Sequence, residues 1–238
     1  MRKVIWPPVM YSILGFITSR DEGEASGRKV LDCGAGGDRP PLVLFAPYGF
    51  DLYGVDISEE RLARARAFCR EEGVAADLRH ADMRDLPFPD ETFDFVYENS
   101  SMCHMVKEEI ARTVGEMRRV LKGGGYCSLG FILEDTWPPM GRERGSGEYW
   151  RTEDGEEIVH SVFSARETEA FLAGWDVVKT TRWATTETEK VNEVTWEEWV
   201  RDWDRGDSPE AVKRDNYERR AELARYSLLA YILRKPLP

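Results

Sequence analysis

The stretch KVLDCGAGGDRPPL, residues 29–42, decides how this chain is to be read. Apolar Val30 and Leu31 run into Asp32, and Gly34, Gly36 and Gly37 crowd into the next few positions. A short apolar run before a glycine cluster reads as a buried strand feeding a loop. Glycines at such a loop let the backbone come close to whatever it holds. The question is what that is, and why a carboxylate stands at the entrance.

Outward from this stretch, strands and helices alternate. LYGVD at 52–56, FDFVYE at 93–98 and GYCSLGFIL at 125–133 read as further buried strands, with a weaker one at 76–80. Ser58 is the expected N-cap of a helix running to about 72. A second helix over 106–121 is stopped by Gly123-Gly124-Gly125. Such alternation predicts a doubly wound α/β fold, a mostly parallel sheet with helices on both faces.

After residue 133 the rhythm changes. Asp154-Gly155 between strand-like flanks predicts a hairpin. Ser164 and Glu167 form a capping box, WDVVKTTRWATTE at 175–187 reads as a long strand pairing with the segment up to Val194, and Thr195–Glu198 is a second capping box. Ser208-Pro209 is expected to open a last helix with proline in its first position. The stretch VIWPPVMYSILGFI near the start is broken by Pro7 and Pro8, which leaves an amphipathic helix over 9–18, too short to span a bilayer. The expected plan is one domain: an N-terminal helical lid (1–27), a cofactor-binding core (28–134), a hairpin insertion (135–163), a closing helix with an antiparallel pair of strands (164–195) and a C-terminal helical extension (196–238).

Composition narrows the class. Against 33 Lys and Arg stand 44 Asp and Glu, a formal net charge of −11. A net anion is repelled by phosphate backbones and anionic lipid heads, so neither a nucleic acid nor a membrane partner is expected. The cysteines at 33, 69, 103 and 127 are spaced neither as a zinc knuckle nor as a redox pair. They read as free thiols in a reducing compartment, the cytoplasm, and no metal is expected.

Two cofactor classes use a glycine loop after a first strand. A dinucleotide needs G-x-G-x-x-G at a helix N-terminus for its phosphates. Gly34 and Gly36 fit the first two positions, but Arg39 stands in the third, where a side chain obstructs packing. S-adenosylmethionine carries no phosphate, so Asp32 is placed to attract its ammonium group. From Asp32-x-Gly34-x-Gly36 onward the chain resembles the class I S-adenosylmethionine-dependent methyltransferases in their small, single-domain form. The resemblance continues through YGVDIS, ADMRDLPFPDETFDFVY and RRVLKGGGYCSL, over roughly residues 29–133. It implies a seven-stranded Rossmann-like sheet and S-adenosyl-L-methionine as cofactor. Asp56 would then meet the ribose hydroxyls, Ile57 the adenine face, Asp82 the adenine amino group and Met83 a backbone contact, with Glu98 and Asn99 under the methionine part. Two other readings remain: a non-catalytic S-adenosylmethionine-binding protein, and an NAD(P)-dependent oxidoreductase.

Methyl transfer from a sulfonium is an in-line displacement that asks the protein to align the acceptor and exclude water. If the acceptor carries a proton, His104 is the candidate base, while His160 on the hairpin reads as remote. The fourth motif reads ENSSM, not the N/D-P-P-Y/F of enzymes that methylate nucleobase amino groups, and no Pro-Cys nucleophile follows. With the net charge, this favours a small-molecule acceptor. Tyr11, Tyr149 and Trp150 are candidate acceptor-side residues. Trp196, Trp199 and Trp203 fall on one helical face and are expected to dock the tail. The sequence fixes no oligomeric state.

Overall fold

A computed structural model describes residues 6–19, 27–136, 142–153, 156–185, 193, 195–203, 209–220 and 225–237. The strands are β1 (Lys29–Cys33), β2 (Asp51–Asp56), β3 (Asp77–His80), β4 (Phe93–Glu98), β5 (Leu121–Ile132), β6 (Arg142–Gly145), β7 (Glu148–Glu153), β8 (Glu156–Ser161), β9 (Asp176–Thr185) and β10 (Tyr226–Arg234). The helices are α1 (Pro8–Thr18), α2 (Glu59–Glu71), α3 (Lys107–Val120), α4 (Ala165–Thr168), α5 (Trp196–Glu198) and α6 (Glu210–Glu218). Seven strands form one sheet in the order β3-β2-β1-β4-β5-β10-β9, and β6-β7-β8 form a small antiparallel sheet. Parallel pairing holds from β3 through to β5, and β10 runs antiparallel to both of its neighbours.

Local chemistry explains the elements. Ser58 accepts from Arg61 N at 3.2 Å and so caps α2, whose first turn also carries Glu59 and Glu60. Pro8 opens α1, where its missing N–H costs nothing, and Met10, Ile13, Leu14 and Ile17 fall on one buried stripe. That stripe joins Val30, Leu52, Phe95 and Tyr97 and the turn Pro41–Tyr48 in one core layer. Ile110, Val114 and Met117 of α3 close the other face. Each such side chain contributes about 1.5–3 kcal/mol when buried.

The C-terminal region departs from expectation. Helices occur over 196–198 and 210–218, yet the chain then returns as β10, a strand inside the main sheet. β10 pairs with β9, from Tyr226↔Thr185 to Arg234↔Asp176, and the segment up to Val194 expected to pair with that strand falls on residues that are not described. Residues 186–192 and 194 lie outside the described residues, as do Trp137, Asp154-Gly155 and Ser208. Pro209 is the N-cap of α6 rather than its first residue. The predicted hairpin is β7–β8, in register from Glu148↔Ser161 to Glu153↔Glu156. A third strand, β6, had not been expected; its turn to β7 is Ser146-Gly147, with φ of 55° and 76°.

Candidate cofactor and acceptor site

The order of the main sheet reverses at β1, where the chain first winds towards β3 and later towards β5. Ligands of doubly wound sheets bind at the strand carboxyl ends beside such a point. Three acids converge there. Asp32 lies in β1, and Asp56 and Glu98 end β2 and β4; all three are buried, at 1%, 8% and 3% exposure.

Each acid has a fixed orientation. Tyr97 lies beside Asp32 in register, and its hydroxyl donates to Asp32 Oδ2 at 2.8 Å. Asp56 accepts from Gly36 N through Oδ2 and from Ser58 N through Oδ1, both at 2.9 Å. A second lone pair on each oxygen is left for further donors such as vicinal hydroxyls. Glu98 accepts from Gly130 N at 2.7 Å, Ser101 N at 3.1 Å and Met102 N at 3.3 Å. Burial pushes the Asp32 carboxyl up to about 7; the Tyr97 hydrogen bond opposes this, and the charges of Glu98 and Asp56 add to it. Burial likewise raises Glu98 against the pull of its three backbone donors.

The glycines are required by close approach. Gly34 has φ of 105°, and a Cβ there would lie 2.0 Å from Ser101 Oγ. A Cβ on Gly36 would lie 2.4 Å from Asp56 Oδ2. The first glycine therefore admits the turn after β4, and the second admits the β2 carboxylate. That turn is itself unusual: Ser100 has φ of 58°, a left-handed conformation uncommon outside glycine.

The other expected cofactor residues divide. Met83 is buried beside the loop, its Cε 3.6 Å from where a Gly34 Cβ would be. Ile57 is 64% exposed at the end of β2, with its carbonyl 2.8 Å from His80 Nε2, so an apolar surface stands ready there. Asn99 begins the turn after β4 and is half-buried. Asp82 is engaged by Arg84, whose Nη2 lies 2.6 Å from Oδ2 and whose N and Nε donate to Oδ1 at 2.8 and 2.9 Å. Arg84, which also pairs with Glu109, holds the Asp82 carboxyl below its ordinary range.

On the acceptor side the structure corrects two expectations. His104 does not open α3; it closes the short turn Met102–His104, and Val106 caps the helix. His160 is not remote: its ring meets that of His104 edge-to-face, with centroids 4.5 Å apart. The small sheet is fastened to this turn, with Ser161 Oγ donating to Met105 O at 2.7 Å and Lys107 N to Glu148 Oε1 at 2.9 Å. Tyr149 is the cross-strand partner of His160 and packs on Cys103, Ile132 and Val162. Trp150, one residue on, points to the opposite face, where Arg144 lies over its ring at 5.2 Å. Tyr11 sits on the outer side of α1, 44% exposed, its hydroxyl 3.4 Å from Trp6 N. Trp199 is fully buried and Trp196 meets Tyr217, while the side chain of Trp203 lies outside what is described.

Comparison with known proteins agrees with this geometry. Residues 31–129 match the family described as a methyltransferase domain. Over these residues the chain is similar to class I, S-adenosylmethionine-dependent methyltransferase domains. A phosphatidylethanolamine N-methyltransferase of Cereibacter sphaeroides is 41% identical over 132 residues, covering 54% of this chain and 63% of that protein. A sterol 24-C-methyltransferase of Gibberella zeae is 37% identical over 111 residues, 45% of this chain and 28% of that protein. The chain thus spans less than two thirds of the length of these relatives. Among solved structures, an S-adenosylmethionine-dependent methyltransferase of Methanosarcina mazei superposes with a TM-score of 0.66 at 17% identity, covering 99% of this chain and all of the other. At that identity the likeness is one of fold.

The chain's own residues fit the cofactor of this domain. S-adenosylmethionine brings a sulfonium and an ammonium, and the site offers three buried carboxylates whose mutual repulsion a cation relieves. A pyrophosphate would meet the same three charges as repulsion.

Proposed function

We propose that this chain is an S-adenosylmethionine-dependent methyltransferase acting on a small molecule. The observation that carries the reading is the convergence of buried Asp32, Asp56 and Glu98 on a glycine loop at the switch point of the sheet. In this reading Asp32 holds the cofactor's ammonium, Asp56 the ribose hydroxyls and Glu98, through its grip on the turn, the wall under the methionine part. Gly34 and Gly36 admit the backbone, Ile57 covers the adenine, and Met83 and Asn99 complete the rim. Asp82 acts with Arg84 as a pair and presents its backbone surroundings, rather than a free carboxylate, to the adenine edge. Bound there, the cofactor supplies a methyl group on sulfonium, open to in-line displacement.

Residues 28–134 serve the cofactor in this scheme, and the small sheet with the turn after β4 serves the acceptor. His104 and Tyr149 face the acceptor and exclude water from it; His104 is the group placed to act on its nucleophile. Trp150 and Tyr11 stand at the margin. The charge of −11 argues against a nucleic-acid acceptor. Among the described residues no helix is long and apolar enough to cross a membrane, and the four free cysteines suit a cytoplasmic setting.

Parallel calorimetric titrations with S-adenosylhomocysteine and with NAD test the proposal. One equivalent of S-adenosylhomocysteine should bind and NAD should give no saturable signal. Binding of NAD alone would sink it.

A further inference from the structure

Cys103 and His104 end the turn after β4, and His160 comes to them from β8. One potential ligand atom from each residue lies within 4.8 Å of the other two. Cys103 and His160 are buried, at 7% and 3% exposure. The cluster is made by tertiary structure: the bonds Ser161–Met105 and Lys107–Glu148 fasten the small sheet just beyond each ligand residue. On the other side, Glu98 holds the same turn through Ser101 N and Met102 N, next to the cofactor loop.

We propose that Cys103, His104 and His160 bind one zinc-class divalent ion at the acceptor side of the site. A thiolate with two imidazoles is the mixed sulfur and nitrogen donor set that zinc favours. Tetrahedral bonds of ~2.0–2.3 Å put donor atoms roughly 3.5 Å apart, so a donor pair at the full 4.8 Å would close by about 1.3 Å. Three protein donors leave a four-coordinate ion one position, as in catalytic rather than structural zinc sites. Cys103 Sγ now donates to Ser100 O at 3.2 Å; loading the ion would take that proton to solvent.

The consequence for catalysis rests on the methyltransferase reading. An acceptor hydroxyl or thiol in the fourth position gives up its proton to solvent more readily. Its lone pair then forms the new bond to the methyl carbon while the carbon–sulfonium bond breaks. Both electrons of that bond leave on sulfur, as a neutral thioether. The acceptor class is therefore one with an ionisable oxygen or sulfur nucleophile.

The test uses the whole chain, stripped with a chelator and titrated with Zn²⁺ by calorimetry and with Co²⁺ by absorption. One ion per chain is expected. Cobalt should give a near-ultraviolet thiolate-to-metal band that Cys103→Ser removes, and His160→Ala should weaken zinc binding by more than the ~10–100-fold that follows loss of an outer-shell partner. Zinc should raise the melting temperature of the parent chain and not of either variant; His104→Ala replaces any variant that does not fold. No stoichiometric binding, or binding indifferent to these changes, overturns the site. S-adenosylhomocysteine titrated into the same samples separates the two ideas. Its binding without metal uptake removes only the ion, and metal uptake without its binding removes the methyltransferase reading.

Discussion

Residues 28–133 and residues 134–237 meet at the same site by different means. In the first region each functional side chain is set by its own strand: Asp32, Asp56 and Glu98 stand at strand ends, and neighbours in the ladder orient them. In the second, nothing is placed locally. His160 reaches His104 through long-range bonds: Ser161 and Glu148 bind the segment around Met105–Lys107, and Phe163 N donates to Ile132 O at 2.8 Å. The first half is a scaffold whose geometry follows from the sheet; the second is a cap held by a few long-range bonds. Changes in the two halves should therefore fail in different ways.

The sharpest exception is β10, which belongs to the second region by sequence and to the scaffold by position. It lies between β5 and β9 and buries Leu229, Tyr231, Ile232 and Leu233. At about 1.5–3 kcal/mol each, these side chains alone match a typical margin of ~5–15 kcal/mol. Removing residues 226–238 should yield an insoluble chain, measured as loss of soluble expression. A soluble truncated chain that still bound S-adenosylhomocysteine would mean that β10 is dispensable to the scaffold.

Next in size is Gly34→Val. The β-branched side chain would need a left-handed φ of 105° and would strike Ser101, 2.0 Å from its first carbon. Binding of S-adenosylhomocysteine should become undetectable by calorimetry while far-ultraviolet circular dichroism stays near that of the parent. Retained affinity would show that the turn after β4 moves freely over the loop.

The difference between the halves also explains what could be read in advance. The strand ends and glycines of the first half announce themselves, because a parallel sheet ties the sequence position of an acid to its place in space. The helix caps at Ser58, Ser164 and Thr195 were equally legible, since a cap is a three-residue event. β10 was not: YSLLAYILR is a continuous apolar run, which periodicity assigns to neither strand nor helix. The meeting of His104 and His160 depends on how a hairpin docks, and no local pattern encodes that. Asp82 was read as a free acceptor because its pairing with Arg84 becomes visible only with side chains in place.

A third prediction concerns charge in the scaffold. Unfolded, Asp32 releases its proton near 3.8; folded, it does so only near 7. Between these values the folded chain holds the extra proton, so stability falls as pH rises from about 4 to 7 and levels off above. The cofactor's ammonium favours the charged carboxylate, so affinity should move the other way and rise by up to ~10-fold per pH unit towards 7. Melting curves and titrations across this range, for the parent and for Asp32→Asn, would check both slopes; the variant should lose the Asp32 share of each, while buried Glu98 keeps its own share of the stability slope. A pH-independent affinity in the parent would place the ammonium elsewhere.

The smallest effect separates two adjacent residues of the cap. Tyr149 and Trp150 were expected to act together, but successive strand residues face opposite ways. Tyr149 shares its face with His160 and packs on Cys103, whereas Trp150 lies under Arg144 on the other face. Both belong to the small sheet rather than to the strands that carry Asp32, Asp56 and Glu98, so affinity for S-adenosylhomocysteine should stay unchanged in Tyr149→Ala and in Trp150→Ala. Turnover of an acceptor should fall in Tyr149→Ala alone, through kcat more than KM if the ring mainly holds His160 in place. Trp150→Ala should lose only a cation–π contact at the surface, worth ~0.5–1 kcal/mol and visible as a small drop in melting temperature. The reverse result, with turnover lost in Trp150→Ala and spared in Tyr149→Ala, would put the acceptor on the outer face of the small sheet. The cap would then be a wall behind the site rather than the surface that receives the substrate.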